Sequence, residues 1–498
     1  MRRGLTILSA ALLAAFATLS SPAPPSLAAK PAKKQKIASF EACRHGCRFR
    51  TIQKAVDAAG TYAYRHPGKV KVRIRPGRYA EGVVLDGSEP RRRFDGMTIE
   101  GTRPDRRRTI LEGGRLGAAE AGIEAVDVSG LVLRNMWARN FTAAGFLVTG
   151  GDRVGGQCTG YAMENLLASG NRSFGLAARN CTGGKMIDSA AYRQGSAGFS
   201  VAETPCSGGW SPYSGAPCQA RPRWTLLQGD ASYENALGFG GTNSKYVRVI
   251  ENAFYDDGAG IVVASVANAG YEPNAWNMIE RNFVFWDNYD YFLSASAFEP
   301  TLEALGETNG RVLRYPIGVG IALYGGDGDI VRGNSVFGNY KWGIASFSAP
   351  GASTSVEEGG FGKNVDNEVV ENSMGRAGAD PNGEYDFFND ATGGGNCWGA
   401  NGPGATFALG NGKASPGAIY PVCPQSKVDY GSVRSLNLEA GLQVPTSESR
   451  SSRTSIGYLG TSPPQNQQCS WVRRVSAHPR FQTFGATEVT ARGNELSC

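Results

Sequence analysis

Histidine is scarce in this chain, with three residues in 498 and none between His66 and His478. Paired Cys-x-x-Cys spacing is missing too, so the ten cysteines suit disulfides of an oxidising compartment better than zinc. After the N-terminus no apolar run approaches the roughly 20 residues of a membrane-spanning helix, which excludes a transmembrane anchor further along the chain. An excess of one charge sign is also lacking. The formal charge is +7, but Arg2, Arg3, Lys30, Lys33, Lys34 and Lys36 all precede the first acid, Glu41. Setting those six aside from 51 basic residues leaves 45 against 44 acidic ones, a balance that argues against a nucleic-acid partner. Arg91 to Arg93 and Arg106 to Arg108 form a local basic patch, read as solvated surface.

What stands at the N-terminus has the order of an export signal: Arg2-Arg3, an Ala/Leu-rich run from Leu5 to Leu19, then the small residues Ser26-Leu27-Ala28. Residues 1–28 are therefore expected to be a signal peptide and 29–46 a polar linker. The mature protein is expected to be secreted or extracytoplasmic, and a monomer.

The body carries an internal repeat, seen in RNMWARNFTAAGF around Asn135, NLLASGNRSFGL from Asn165, NAFYDDGAGI from Asn252 and NSVFGNYKWGI from Asn334. Asp188, Asp230, Asn282 and Asn372 open degenerate copies. Each unit places Asn or Asp at a bend, a second polar residue five or six positions on, and usually glycine before a short apolar strand. Two copies lie 23 residues apart, aligning Asn165 with Asp188 and Gly175 with Gly198. Such strands cannot bury their inner face alone, whereas stacked turns bury it continuously. Asparagine suits the bends because it tolerates left-handed backbone angles and its amide can bond to the same amide one coil away. Cys158 and Cys181 stand one repeat apart. Coils stacked about 4.8 Å apart bring them within the roughly 4.4 to 6.8 Å that a disulfide accepts. This pair is expected to be bonded.

An open N-terminal end needs a cover, and FRTIQKAVDAAG, with Ile52, Ala55, Val56 and Ala59 at helical spacing, supplies a capping helix. It leads into KVKVRIRPGRYAEGVVL, an alternating strand, a Pro76-Gly77 turn and a second strand. The order TIQKAVDAA, VRIRPGRYAEGVVL, then Asn-rich coils resembles the pectin-lyase-like right-handed β-helix superfamily over roughly residues 47 to 400. The fold implied is all-β: a single-stranded right-handed parallel β-helix over 47–400, followed by an irregular C-terminal region and cap over 401–498. Members of that superfamily include polysaccharide lyases, epimerases, esterases, hydrolases, phage tailspikes and binding proteins. Their signatures, including the Gly-His-Gly of polygalacturonases and the Asp-Pro-His-Asp of alginate epimerases, are absent here, so no catalytic residue carries over.

Loops that lengthen at one phase of the repeat (203–223, 266–276, 297–315 and 349–364) are expected to emerge on one face, as binding loops of solenoids do. They carry Trp210, Tyr213, Tyr271, Trp276 and Phe298, whose flat faces can hold sugar rings or pack the loops against the coil. In the second polar ladder the series Asn140, Asn171, Gln194, Asn235 changes to an aspartate at 256 or 257, then Asp287, and returns to Asn339. Spacing to the flanking Asn and Gly leaves Asp256 and Asp257 as alternatives. Stacked carboxylates repel, so the pair can share a proton for acid/base work, serve as the two acids of a hydrolase, or bind calcium together with Asp290. The bland alternative is an exposed corner where water screens both charges. Lys245 and Arg281 are nearby cations able to neutralise a uronate or take its C5 proton. Cys206 with Cys218, Cys397 with Cys423 and Cys469 with Cys498 are the simplest further disulfides by proximity, and the partners of Cys43 and Cys47 stay open. The expected function is carbohydrate-active, on an acidic polysaccharide, as a lyase, epimerase or hydrolase, with calcium the one candidate cofactor. The alternative is a non-catalytic glycan-binding or cell-surface β-helix.

Overall fold

The computed structural model describes residues 37–114, 120–151, 158–205, 223–266, 272–288, 307–308, 311–312, 318–339, 341–347, 362, 364–375, 381–383, 385–390, 393–402, 405 and 420–423. The export segment, Trp210, Tyr213, Tyr271, Asp290, Phe298, and the cysteines at 206, 218, 469 and 498 lie outside the described residues.

Short β-prone segments separated by left-handed bends wind into coils, each giving three strands that pair in parallel with the coils on either side. The first row runs from Ala38–Ala42 through Val70–Ile74 and on to Cys397–Gly399. The second runs from Gly77–Tyr79 to Ser373–Met374, and the third holds ten strands from Val83–Asp86 to Tyr385–Asn389. In two coils the first and second rows merge into single strands, Val132–Arg139 and Ala162–Ser169. The fold is a parallel β-helix, with the right-handed crossovers that parallel strands take. Leu167 faces Ala190 and Leu176 faces Phe199, which is the 23-residue register of the repeat. Inward side chains from all three rows form one buried core, and that burial is the main stabilising term.

Residues 38–42, expected in a linker, instead form the first strand. Phe40 packs against the core and Ala42 is buried, so apolar alternation begins before the lysine-rich stretch suggests. The capping helix, α1 (Ile52–Arg65), buries Ile52, Ala55, Val56 and Ala59. Its N-terminus is closed from two sides: Thr51 Oγ1 accepts from Lys54 N, and Glu81 of the coil accepts from the amides of Ile52 (2.8 Å) and Gln53 (3.2 Å). Disulfides join Cys43 to Cys47, Cys158 to Cys181 and Cys397 to Cys423. Cys158 and Cys181 stand opposite each other in adjacent coils with Cα atoms 4.7 Å apart. No described helix is long and apolar enough to cross a membrane.

Two expectations about the bends need correction. Asn135, Asn165 and Asp188 do not stand in register with Asn252, Asn282 and Asn334. They take the left-handed slot (φ 61, 49 and 51°), which the later coils fill with Glu251, Arg281 and Gly333. The ladder slot is the next residue, running Ser189, Asp230, Asn252, Asn282, Asn334, Asn372, Asn401. Asn140 is likewise left-handed, and Phe141 stands in its place at the head of the second ladder. Asparagine serves either slot for different reasons, tolerance of positive φ in one and a bridging amide in the other, and the sequence does not mark which.

The second correction concerns the loops. Those at 203–223, 266–276 and 349–364 leave between the third and first rows, but the excursion from 286 to 318 leaves between the second and third. The third-row strand of that coil is Val319–Tyr324, its Ile321 paired with Ile261. The row has glycine at its second position in the coils where the second-ladder side chain fills the space of a Cβ, and Asp386 stands there in the last strand. A Cβ on Gly238 would lie 2.6 Å from Asp257 Oδ2, on Gly320 2.6 Å from Asn339 Nδ2, and on Gly343 2.7 Å from Asn382 Nδ2. The apolar run after Asp287 has no such glycine, and Gly320 does. Gly320→Ala is expected to destabilise the fold by about 1–3 kcal/mol, as overpacking of a filled core does. Chemical denaturation of the two proteins measures it.

Candidate functional site

The acids singled out in the sequence lie inside the wall of the coil. Asp257, rather than Asp256, is the ladder residue: its Oδ1 accepts from Asn235 N (2.8 Å) and Nδ2 (2.9 Å). Asp257 N in turn donates to Asp287 Oδ1 (3.2 Å), and Asp287 N to Asn339 Oδ1 (3.1 Å). Asp256 takes the left-handed slot before it (φ 61°), where its carbonyl accepts from Glu234 N. Asp257 and Asp287 are fully buried, so an exposed corner with water screening both charges is not what the chain builds. Burial pushes both carboxyls well above the usual range, and for Asp287 the neighbouring Asp257 adds to the shift. The shift favours the protonated form of both. Where asparagine occupies the slot, Nδ2 donates to a carbonyl of the preceding coil, Asn339 to Val284 O and Asn382 to Val336 O. Among the described residues Asp287 Oδ2 has no hydrogen-bond partner, whereas the Ser232 hydroxyl bonds Asp257 and favours its charged form. From this position neither side chain can touch a polymer.

Arg281 is on another edge. It holds the left-handed slot between first and second rows and pairs with Glu251 at 3.2 Å, half exposed. The bend that carries Lys245 lies between third and first rows. Lys245, Arg281 and the acid pair thus belong to three separate corners.

Chemistry-bearing side chains do gather at the corner between third and first rows, over three consecutive coils. Short parallel bridges connect Lys245 to Ala275 and Ala275 to Asp327, which places Tyr246, Trp276 and Gly328 in one column. The left-handed backbone of Tyr246 and Trp276 (φ 53° each) directs the column around the bend. The Tyr246 and Trp276 rings stack at 5.3 Å, and Trp224 meets Tyr246 edge-on at 5.5 Å. Trp276 also lies against Gly328, where a Cβ would come within 2.8 Å of the indole. Trp224 is 38% exposed, and the other two rings are partly exposed. Of these three only Trp276 was expected. Trp224 and Tyr246 escape a sequence reading because their alignment depends on a register with loops of unequal length between coils.

Behind the rings, Lys245 Nζ stands 3.3 Å from Glu272 Oε2 and donates to the carbonyls of Thr204 and Glu272. Burial lowers the Lys245 ammonium although Glu272 opposes the shift, and burial raises the Glu272 carboxyl although Lys245 opposes it. Two residues beyond Tyr246, Arg248 faces outward from the first row and binds Glu280 at 2.6 Å, and Arg332 binds the same carboxylate at 2.5 Å. Two guanidiniums exposed by 41% and 46% therefore share one buried acid, a cluster of net positive charge on the first row.

Because the folded-state carboxyls of Asp257 and Asp287 are raised, stability from their protonated form is fully present below the ordinary carboxylate range and lost as pH rises. Asp257→Asn and Asp287→Asn are each expected to raise stability at pH 8, by on the order of 1–3 kcal/mol, and to change little at pH 4. Thermal unfolding across that range measures it.

Comparison with known proteins finds no matching family model and no matching curated sequence. Solved structures do match. The A-module of the mannuronan C-5 epimerase AlgE4 from Azotobacter vinelandii is 13% identical with a TM-score of 0.44, covering 72% of this chain and 93% of its own. Pectate lyase Pel9A is 12% identical with a TM-score of 0.38, over 76% and 79% of the two chains. The catalytic domain of a GH87 alpha-1,3-glucanase is 13% identical with a TM-score of 0.44, over 81% and 70%. With three parallel rows closed by side-chain ladders, this chain has a parallel β-helix fold.

Proposed function

We propose that this protein is a secreted, carbohydrate-active β-helix that engages an acidic polysaccharide along the Trp224, Tyr246 and Trp276 column. The observation that carries this reading is the column itself: three rings in consecutive coils, in contact and open to solvent. Ring faces of this kind hold the apolar faces of sugars. The Arg248–Glu280–Arg332 cluster supplies a net positive charge for a uronate carboxylate, with the fork geometry that carboxylates favour. Lys245 and Glu272, whose pKa values burial moves toward each other, are the groups suited to proton transfer at this corner.

A second reading follows from one specific fact. Lys245 and Glu272 are both under 10% exposed, which favours a surface that binds glycan without cleaving it. Incubation with a panel of uronate polymers, with and without calcium, separates the two. Unsaturated ends absorbing in the ultraviolet indicate a lyase, new reducing ends alone a hydrolase, and binding without product the second reading. In either case Trp224→Ala and Trp276→Ala are each expected to weaken binding by roughly two- to tenfold, the value of an aromatic contact of about 0.5–1.5 kcal/mol. Unchanged affinity in both would remove the column from the site.

A further inference from the structure

Trp276 is clamped at its main chain and lies on bare backbone at its ring. The Trp276 N–H donates to Asp327 O (2.8 Å). On one side of it Asn277 N and Nδ2 donate to Asp329 Oδ1 (2.8 and 3.1 Å), and on the other Asn274 Nδ2 donates to Asp329 Oδ2 (2.6 Å). Asp329 is a step of a third ladder that the sequence reading did not identify, Asn277, Asp329, Asn367, Asn396. The main chain is thus fixed on both sides of the ring. The indole itself lies between the Tyr246 ring, 5.3 Å away, and Gly328 of the next coil. A Cβ on Gly328 would stand 2.8 Å from the indole Cδ1 and 3.1 Å from Nε1.

Backbone conformation does not explain the glycine. Gly328 is left-handed (φ 65°), but Tyr246, Trp276 and Asp366 hold the same slot in neighbouring coils at φ 53° with side chains in place. What distinguishes position 328 is the ring lying over it. The same coil repeats the arrangement at its other two corners, where Gly333 underlies Arg281 and Gly338 underlies Trp286. Trp286 is buried and Arg281 pairs with Glu251, so of the three only Trp276 presents a ring to solvent. We propose that Gly328 is a positioning residue of the aromatic column: its bare backbone is the seat that holds the Trp276 indole against Tyr246. A methyl group at 328 overpacks the contact and something must shift. Because the main chain of Trp276 is fixed on both sides, the ring is what gives way, and it leaves the stack. The seat stands on this geometry, whereas its consequence for glycan binding rests on the reading of the column given above.

Gly328→Ala is tested beside Gly160→Ala. Gly160 holds the same slot at φ 68° with nothing within 4 Å of a Cβ, so alanine there carries the backbone penalty without the ring contact. Near-ultraviolet circular dichroism, which reads the coupling of stacked rings, follows the Tyr246–Trp276 pair without any glycan. Gly328→Ala is expected to reproduce the spectral change of Trp276→Ala, and Gly160→Ala to keep the spectrum of the unaltered protein. In a Trp276→Ala background the added methyl meets no indole, so Gly328→Ala is expected to lower Tm no more than Gly160→Ala does. An unchanged spectrum in Gly328→Ala overturns the proposal. So does an extra loss of Tm that persists when the indole is removed. A Gly328→Ala protein that fails to fold and is rescued by Trp276→Ala supports the seat, and one that is not rescued overturns it. Affinity for polymannuronate and polygalacturonate separates the seat from its function. Gly328→Ala is expected to weaken binding roughly two- to tenfold, as Trp276→Ala does, with no further loss when the two are combined. Affinity that Trp276→Ala leaves unchanged removes the column from the site while the spectrum still decides the seat. Affinity that Trp276→Ala weakens and Gly328→Ala does not overturns the positioning role.

Discussion

A coil with three bends per turn must find partners for the peptide groups at each bend, and here the side-chain amide supplies them. Asn282 Oδ1 accepts both the backbone N–H and the Nδ2 of Asn252, and its own Nδ2 donates to Val249 O in the preceding coil. The motif recurs down three ladders at three corners. Without it the bends would bury unpaired donors and acceptors, a cost the apolar core could not offset at every turn. The ladders also fix the register, and through it which side chains meet on the outside.

The outer faces of the coil differ according to what that register aligns. Along the second row Tyr192, Tyr233, Tyr255, Phe285 and Phe337 stack at 4.9 to 5.3 Å, mostly buried, and work as structure. Along the first row alternating charges pair across coils, as Lys71 and Arg134 do on Glu100. The column of Trp224, Tyr246 and Trp276 stacks in the same way but stays open to solvent. Exposure, rather than the presence of aromatic residues, sets it apart.

The architecture was legible because burial imposes alternation and the bends impose Asn, Asp and Gly. The register was legible only where coils are short. Consecutive ladder steps span 23, 41, 22, 30, 52, 38 and 29 residues, so a fixed period is visible at Asn165 and Asp188 and lost beyond them. That loss explains the misplaced 286–318 loop and the unseen Trp224 and Tyr246. The acid pair misled for a different reason. Asp and Asn are isosteric, and sequence does not report whether a carboxyl faces water or replaces an amide within the wall.

Steps of 22 and 52 residues nevertheless join coils through the same hydrogen bond, from a backbone N–H to the side-chain oxygen of the next rung. The scaffold is therefore indifferent to how much chain lies between one rung and the next, provided that each excursion returns to the slot it left. Material can be added to or deleted from a corner without transmitting strain to its neighbours. New specificity can thus arise by exchanging whole excursions while the frame beneath them is inherited unchanged.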